Sequence, residues 1–419
     1  MRIARLDAEV GAAAIRALAP EVGEVEADVR AIIDEVRREG DAAVRRLTER
    51  FDHAELGSEE IAVPPRELDA ALGVLEPEVI RALRTAIANV RAVAESQRWA
   101  GTAVRLPEGQ RVEVAEVPVR RAGVYVPGGR AAYPSTLVMC AVTARAAGVD
   151  ELAVCAPPGA GGRAHPAVLA ACALCGVHEV YRMGGAQAIA ALAYGTASVP
   201  AVDVIVGPGN RYVQEAKRQV AFARVGIDGI AGPSELVVVA DGGADAETLA
   251  LDLLAQAEHG ADGLLALISA DERLLVEAER AIARLVPRRP SASDAPLALV
   301  RAPSARAAVA LADQIAPEHL ELVGAEPEAL ADHVRAAGCV FVGEGSGTAF
   351  GDYVAGSNHV LPTGGAARFQ SALSPSTFRR RVARVSLPAD APRRLAPAGA
   401  ALARAEGFPV HAESMERRG

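Results

Sequence analysis

At 419 residues the chain exceeds one ordinary core, and its 51% hydrophobic but only 3% aromatic residues build those cores from Ala, Val and Leu. A formal net charge of −9 argues against a nucleic-acid partner, whose affinity rests on clustered Lys and Arg. Among the longest apolar runs, Ala167 to Val177 is too short to span a bilayer, so no membrane partner is expected.

Met1 to Leu18 has no basic-then-apolar signal pattern, since Arg5, Asp7, Glu9 and Arg16 interrupt it. With an odd number of cysteines, five, this reads as a cytoplasmic protein with reduced thiols. Residues 1–110 are charged and largely helical. From Glu21 to Phe51, Val25, Val29, Ile32, Ile33, Val36, Val44 and Leu47 fall at helical spacings, and Gly40 separates two helices. Residues 109–126 turn β-like. Strand candidates at 123–126, 151–155, 178–182 and 202–206 then alternate with mostly Ala-rich helices. A second alternating run has strands near 235–240, 262–269, 297–301 and 339–343. Alternation of this kind marks parallel α/β sheets with crossover helices. The expected fold is therefore α/β: two Rossmann-like parallel-sheet domains with smaller helical N- and C-terminal segments. The boundaries fall at 1–110, packing partly on the second domain, then 111–234, 235–375 and 376–419. Cys172 and Cys175 form a C-x-x-C, but inside an apolar helix and without a second pair they read as buried hydrophobes. Cys140, Cys155 and Cys339 read the same way. Arg379, Arg380 and Arg381 read as a solvated face or an ion-pair patch.

Three glycine-bearing loops follow strands: Tyr125-Val-Pro-Gly-Gly129, Met183-Gly-Gly-Ala-Gln187 and Gly207-Pro-Gly-Asn210. Ligands of parallel α/β sheets bind at such loops, and glycine lets backbone approach a phosphate at a helix N-terminus. No G-x-G-x-x-G follows a strand and no Walker A occurs, so the loops alone also read as plain tight turns. Gln256 and His259 share a helical face three residues apart, which suits either two metal ligands or a capping pair. Asp352 and His411 would complete a site of one carboxylate, two imidazoles and one amide. Pro317-Glu318-His319-Leu320-Glu321 reads as a polar turn after a helix, or as an acid–base pair, because His titrates near neutrality. Residues Gly351 to Thr363 crowd Asp352, Tyr353, Ser357, Asn358 and His359 into a stretch without helical or strand period, which reads as a loop. His53, His165, His178 and His333 read as structural or exposed.

Together these segments resemble the histidinol dehydrogenase family. The likeness runs from Tyr125-Val-Pro-Gly-Gly through Gly207-Pro-Gly-Asn-Arg-Tyr-Val, Ala231-Gly-Pro-Ser-Glu235 and Gln256-Ala-Glu-His-Gly260. It continues through Pro317-Glu-His-Leu-Glu321 and the Gly351 loop to His411, about residues 20 to 415. Ser374-Pro-Ser-Thr-Phe378 and the arginines after it match only loosely. The resemblance implies a zinc enzyme, one Zn2+ per subunit, that oxidises L-histidinol to L-histidine through histidinal with two NAD, the last step of histidine biosynthesis. It implies Gln256, His259, Asp352 and His411 as zinc ligands, Glu318 and His319 as the acid–base pair, and Tyr125, Gln187 and Asn210 as NAD contacts. Ser234, Gln256, His259, His319, Asp352, Glu406 and His411 would surround the substrate. It further implies a homodimer whose C-terminal segment reaches the partner's site, with His411 and Glu406 acting in trans.

Three other functions fit parts of the pattern: a related NAD-dependent dehydrogenase of another small alcohol, a zinc hydrolase using Glu318 and His319, and a non-catalytic binding module. His359 could touch substrate, support Asp352, or pin its loop.

Overall fold

The computed structural model describes the chain except residues 21–22, 58, 129–130, 160 and 293–294. Gly129 of the first glycine loop, and the start of the Glu21 to Phe51 stretch, lie outside the described residues.

Strand β1 (Arg2–Asp7) opens the chain, and β2 (Thr102–Arg105) and β3 (Arg111–Pro118) follow after four longer helices. Next come β4 (Arg121–Tyr125), β5 (Glu151–Ala156), β6 (Glu179–Arg182), β7 (Val204–Val206) and β8 (Gly226–Ile227). They form a five-stranded parallel sheet in the order β6-β5-β4-β7-β8. Then β9 (Glu235–Ala240), β10 (Leu264–Ser269), β11 (Pro296–Arg301), β12 (His319–Val323) and β13 (Cys339–Val342) join β1 in a six-stranded parallel sheet, β1-β11-β10-β9-β12-β13. Both are α/β sheets. Strands such as β4, β9 and β10 are buried along their whole length, because helices cover both faces of a parallel sheet. Each sheet reverses its strand order once, between β4 and β7 and between β9 and β12. Such reversals leave a crevice beside the sheet.

Eight expected strands are present, some with ends a residue or two away. Two strands of the second sheet were not foreseen. β1 lies in a segment expected to be helical, and its charges stand on an edge where water reaches them. β12 replaces the polar turn expected at 317–321: His319 and Glu321 are buried between β9 and β13, a setting local polarity does not announce. The rest of the N-terminal segment divides between the sheets. The Gly11–Arg16 helix packs on Ala305–Ile315 of the second, while Glu26–Glu39 and Asp41–Asp52 pack on Gly185–Tyr194 of the first. Glu26–Glu39 buries Val29, Ile32, Ile33 and Val36, a one-face pattern ended by Gly40 at φ 56°.

A third, antiparallel sheet joins β2 and β3 to β14 (Arg379–Ser386), in a C-terminal segment expected to be helical. Both Arg379 and Arg381 pair with Glu116, and the Arg381 guanidinium lies 4.8 Å above the Trp99 ring, so this run is an ion-pair patch. Cys140, Cys155, Cys172 and Cys175 are buried; Cys339 is only partly so. No helix among the described residues is long and apolar enough to cross a membrane.

Phe378 is wholly buried in the core shared with Leu137 and Met139, and its carbonyl accepts the Val119 N–H at 2.8 Å. It anchors β14 to the first domain. Phe378→Ala is expected to cost about 3–5 kcal/mol, the usual penalty for emptying an aromatic site. The lowered urea midpoint measures it; an unchanged midpoint would remove Phe378 as the anchor.

Candidate active site

At the carboxyl ends of β4 to β7 lies a cavity of about 1070 Å³, at the strand-order reversal of the first sheet. Tyr125, Gln187 and Asn210 all line it, so the three loops do converge. Tyr125 ends β4, and its hydroxyl accepts the Gly185 N–H at 3.1 Å, at the start of the Gly185–Tyr194 helix. Burial raises the Tyr125 phenol, so it stays protonated and able to donate. Asn210 caps the Arg211–Val220 helix by accepting from Tyr212 N and Val213 N through Oδ1, and its amide N–H groups have no partner among the described residues. Gln187 is 1% exposed, and among the described residues neither side-chain polar atom has a partner. A buried amide without partners is costly, and a ligand group is the usual remedy.

The backbone around the cavity is held tightly. Gly207 (φ 115°) passes so close to Tyr125 that a Cβ there would collide with the Tyr125 carbonyl. Its N–H donates to Asp228 at 2.7 Å, and its carbonyl accepts from Lys217 Nζ at 3.0 Å. Lys217 and Asp228, both buried, pair at 2.5 Å. This clamp sits inside the domain and is one device the sequence did not disclose. His165, expected to be merely structural or exposed, lines the cavity and caps the Pro166–Leu174 helix through Nδ1.

A second group of polar residues lies at the amino ends of β9 and β12. Ser234 directly precedes β9, and its Oγ lies 3.1 Å from His259 Nδ1; Gln256 Nε2 lies 3.5 Å from the same nitrogen. Gln256 is in the last turn of the Ala246–Ala257 helix, and His259 follows the helix end rather than lying on it. Glu318 directly precedes β12, and His319 begins it. His319 Nδ1 donates to the Glu235 carbonyl at 3.0 Å, in the tautomer that bond requires. That leaves Nε2 free, 3.7 Å from Asp352 Oδ1. Burial alone would lower the His319 imidazole, but adjacent Glu318, with Asp352, lifts it to about 9.

The Gly351 stretch is corrected by the structure. Asp352 is not on a loop but in the last turn of the Thr348–Tyr353 helix, which packs on the helix bearing Gln256. Gly351 serves packing rather than turning: a Cβ there would stand 2.5 Å from the Phe341 ring. The helix is too short for its apolar period to show in sequence. His359 bridges two elements. Nδ1 meets the Asp352 carbonyl at 2.8 Å, and Nε2 meets Thr136 Oγ1 at 3.2 Å. Asn358 reaches Met139 O and Thr143 Oγ1 of the same Pro134–Ala147 helix. The His359 loop thus ties Asp352 to the helix that follows the Tyr125 loop, joining the two site halves.

Of the four expected metal ligands, Gln256, His259 and Asp352 sit on neighbouring elements. His411 does not reach them within the chain. It is exposed on Pro409–Glu416, against Phe408 at 5.4 Å, and Glu406 is exposed just after Ala391–Ala405. Those two helices pack on each other through Ala400, Ala403 and Ala412. Among the described residues no group of three or more His, Cys, Asp or Glu forms a metal site. The donor set on one chain, an imidazole, a carboxylate and a carboxamide, suits zinc in kind but is one ligand short.

Comparisons with known proteins identify the family. The histidinol dehydrogenase family model matches residues 17–419. Histidinol dehydrogenase of Rhizobium meliloti (strain 1021) is 45% identical over 401 residues, covering 94% of this chain and 92% of that protein. The Synechococcus enzyme of the same name is 46% identical over 401 residues, with the same coverage. The crystal structure of histidinol dehydrogenase from Elizabethkingia anophelis superposes with a TM-score of 0.93 at 32% identity, covering 100% of this chain and 98% of that one.

Beneath the second cluster, Glu321 accepts from Thr348 N and Oγ1, each at 2.6 Å, and burial, then Glu321, raises the nearby Asp252 carboxyl to about 7. An unfolded Asp releases its proton near pH ~4, so the folded state binds this proton more tightly and loses stability as pH rises from ~4 to ~7. Asp252→Asn removes that loss. Its urea midpoint is expected to gain on the parent progressively across this window and to level off above it. A difference independent of pH would show that Asp252 is ionised throughout.

Proposed function

The chain belongs to the histidinol dehydrogenase family and is an oxidoreductase of histidine biosynthesis; from that premise we propose that it oxidises L-histidinol through L-histidinal to L-histidine, with two NAD and one zinc ion per subunit. The observation that carries the chemistry is the fixed tautomer of His319. The Glu235 carbonyl holds Nδ1–H, with Glu318 Oε2 3.5 Å from the same nitrogen, and Nε2 lies 3.7 Å from Asp352 Oδ1. With Nδ1 immobilised, Nε2 is the nitrogen that can exchange a proton with a hydroxyl. Glu318 and Asp352 favour the imidazolium, so it acts as a base once it has given that proton up, a loss that a cation held by Asp352 would promote.

In this reading Tyr125, Gln187 and Asn210 hold NAD in the cavity of the first sheet. NAD, when bound, accepts the hydride of each oxidation. Gln256, His259 and Asp352 hold the zinc with His411 of a second copy of the chain. Zinc, when bound, fixes the imidazole and amino group of the substrate and so orients the carbinol. His319 Nε2 takes the hydroxyl proton as hydride leaves the carbinol carbon, giving the aldehyde. Glu318, whose Oε2 accepts Glu235 N–H at 2.9 Å, takes a proton from water as its oxygen attacks the aldehyde carbon, and protonated His319 returns its proton to the former carbonyl oxygen, giving the hydrate. His319 takes one hydroxyl proton of this hydrate as the second hydride leaves, giving the carboxylic acid, which releases its remaining proton to solvent as the carboxylate forms. Ser234 beside His259 and Glu406 of the second copy complete the substrate shell. A cytoplasmic location follows the pathway assignment.

The C-terminal hairpin supports the shared site. It leaves Leu402, Phe408 and Val410 more than half exposed at 67%, 53% and 72%, an apolar face beside His411 that suits burial against another copy.

NADH absorbance on adding L-histidinol tests the reaction. Turnover is expected to vanish on chelation and to return with zinc, and His319→Asn is expected to lose about 100-fold or more in kcat. Turnover that survives complete zinc removal would sink the metal assignment; zinc-dependent hydrolysis without NADH would favour the hydrolase reading. The shared site is tested by mixing two inactive variants, His259→Asn and His411→Asn, after dissociating and reassociating the subunits. If His411 acts in trans, half of the subunit pairs are heterodimers with one intact site, and about a quarter of parental activity returns. No recovery would place His411 in its own subunit's site.

A further inference from the structure

The cavity of the first sheet contains a carboxylate that none of the roles above uses. Asp52 is the last residue of the Asp41–Asp52 helix, outside the sheet, and lines the cavity with Tyr125 and Gln187. Its Oδ1 lies 3.3 Å from where a Cβ of Gly184 would stand. Its Oδ2 is shielded from solvent and has no hydrogen-bond partner among the described residues. A negative charge at a helix C-terminus opposes the helix dipole, and a buried unpaired carboxylate costs free energy. Burial accordingly raises its carboxyl to about 6. The fold therefore keeps a group here that worsens its own stability, which is expected at a binding position rather than a structural one.

Its place in the sheet says what it would bind. In dinucleotide-binding α/β folds an acidic side chain at the end of the strand beside the first accepts hydrogen bonds from a ribose diol. Here that neighbouring strand is β5, which runs into Pro157 and Pro158, neither of which has a side-chain acceptor. Pro157 packs on Gly184, within 2.7 Å of its Cβ position. Asp52 thus stands in space beside the end of β5, brought there by a different element. Its neighbour Phe51, 47% exposed, lines the same cavity and offers a ring face to a base. The pyrophosphate is better served elsewhere in the cavity, where Asn210 begins the Arg211–Val220 helix.

Resting on the reading that this cavity holds NAD, we propose that Asp52 accepts hydrogen bonds from the adenosine ribose hydroxyls and, by its charge, rejects a 2′-phosphate, so that Asp52 selects NAD over NADP. A carboxylate matches two vicinal hydroxyls with its two oxygens, and it repels a phosphate dianion at the same spot.

The test is direct binding by titration calorimetry of NAD, NADP and nicotinamide hypoxanthine dinucleotide to the zinc-loaded parent, Asp52→Asn and Asp52→Ser, with the melting temperature of each unliganded protein. Asp52→Asn is expected to bind NAD about tenfold more weakly, roughly 1.4 kcal/mol, and to narrow the NAD-to-NADP ratio at least tenfold. The hypoxanthine dinucleotide, which keeps the ribose, should weaken in parallel with NAD. The unliganded variants should melt at or above the parental temperature, since an orphaned charge has been removed. A parent that binds no NAD overturns the cavity reading and this inference together. A parent that binds NAD, with an unchanged ratio in both variants, overturns the inference alone. A hypoxanthine dinucleotide that binds the parent poorly and the variants equally well assigns Asp52 to the adenine amino group instead. Variants that melt lower and bind as the parent does make Asp52 a structural residue.

Discussion

Glu235 is the buried carboxylate on which the second half of the molecule is hung. Its oxygens accept from Arg16 at 2.9 Å, from the Gly364 N–H at 3.0 Å and from the Glu318 N–H at 3.3 Å. Its own N–H is taken by Glu318 Oε2, and its carbonyl by His319 Nδ1. One residue therefore joins the N-terminal helix, β9, β12 and the segment after the His359 loop. A buried charge is tolerable only when its partners are complete, so each of these elements holds the others in place. The proposed base and its neighbouring carboxylate inherit their orientation from that network.

The two sheets share a strand pattern and use opposite ends of it. In the first, the carboxyl ends of β4 and β7 open into the cavity, as parallel sheets usually do. In the second, Asp241 stands at the corresponding end of β9. It accepts from Gly243 N at 3.0 Å and from Glu326 N at 3.3 Å, and it occupies the space a Cβ on Gly324 would need. The polar residues of the second sheet that the proposed chemistry uses gather instead at its amino edge, around Ser234, Glu235, Glu318 and His319. The His359 loop then sets this edge against the helix rising from the first sheet's cavity. A hydride acceptor held on one sheet and a proton acceptor held on the other is a division of labour that this geometry permits.

Much of the scaffold is legible in the residues. β9 and β10 are continuous apolar runs bounded by turn residues, and Glu26–Glu39 repeats its apolar positions at helical spacing. Both signals arise because burial on a whole strand or on one helix face needs particular residue types at particular intervals. The glycine loops were visible because a chain that turns sharply at a strand end needs that residue. β12 was not legible because its polar residues are buried with partners far away in sequence, and the Thr348–Tyr353 helix was not because it is too short to show an apolar period. His319 Nδ1 is held by Glu235 and Glu321 Oε1 by Thr348, so local polarity pointed to a surface turn where the fold has interior. Asp52 was missed because its neighbours are a strand end and a glycine more than a hundred residues away.

By itself the sequence determined the α/β class, the two alternating runs, the loops that converge on the cavity and, through its ordered motifs, the family. Those are properties of local periodicity and of residue types that chemistry cannot exchange. Only the tertiary structure decided which nitrogen of His319 is free, that His359 ties Asp352 to Thr136, and that His411 lies apart from Gln256, His259 and Asp352 within one chain. It also decided that a carboxylate from an N-terminal helix stands at the end of β5. Each of these depends on pairs of groups brought together across long stretches of chain, where distance and burial, not spacing, set the chemistry.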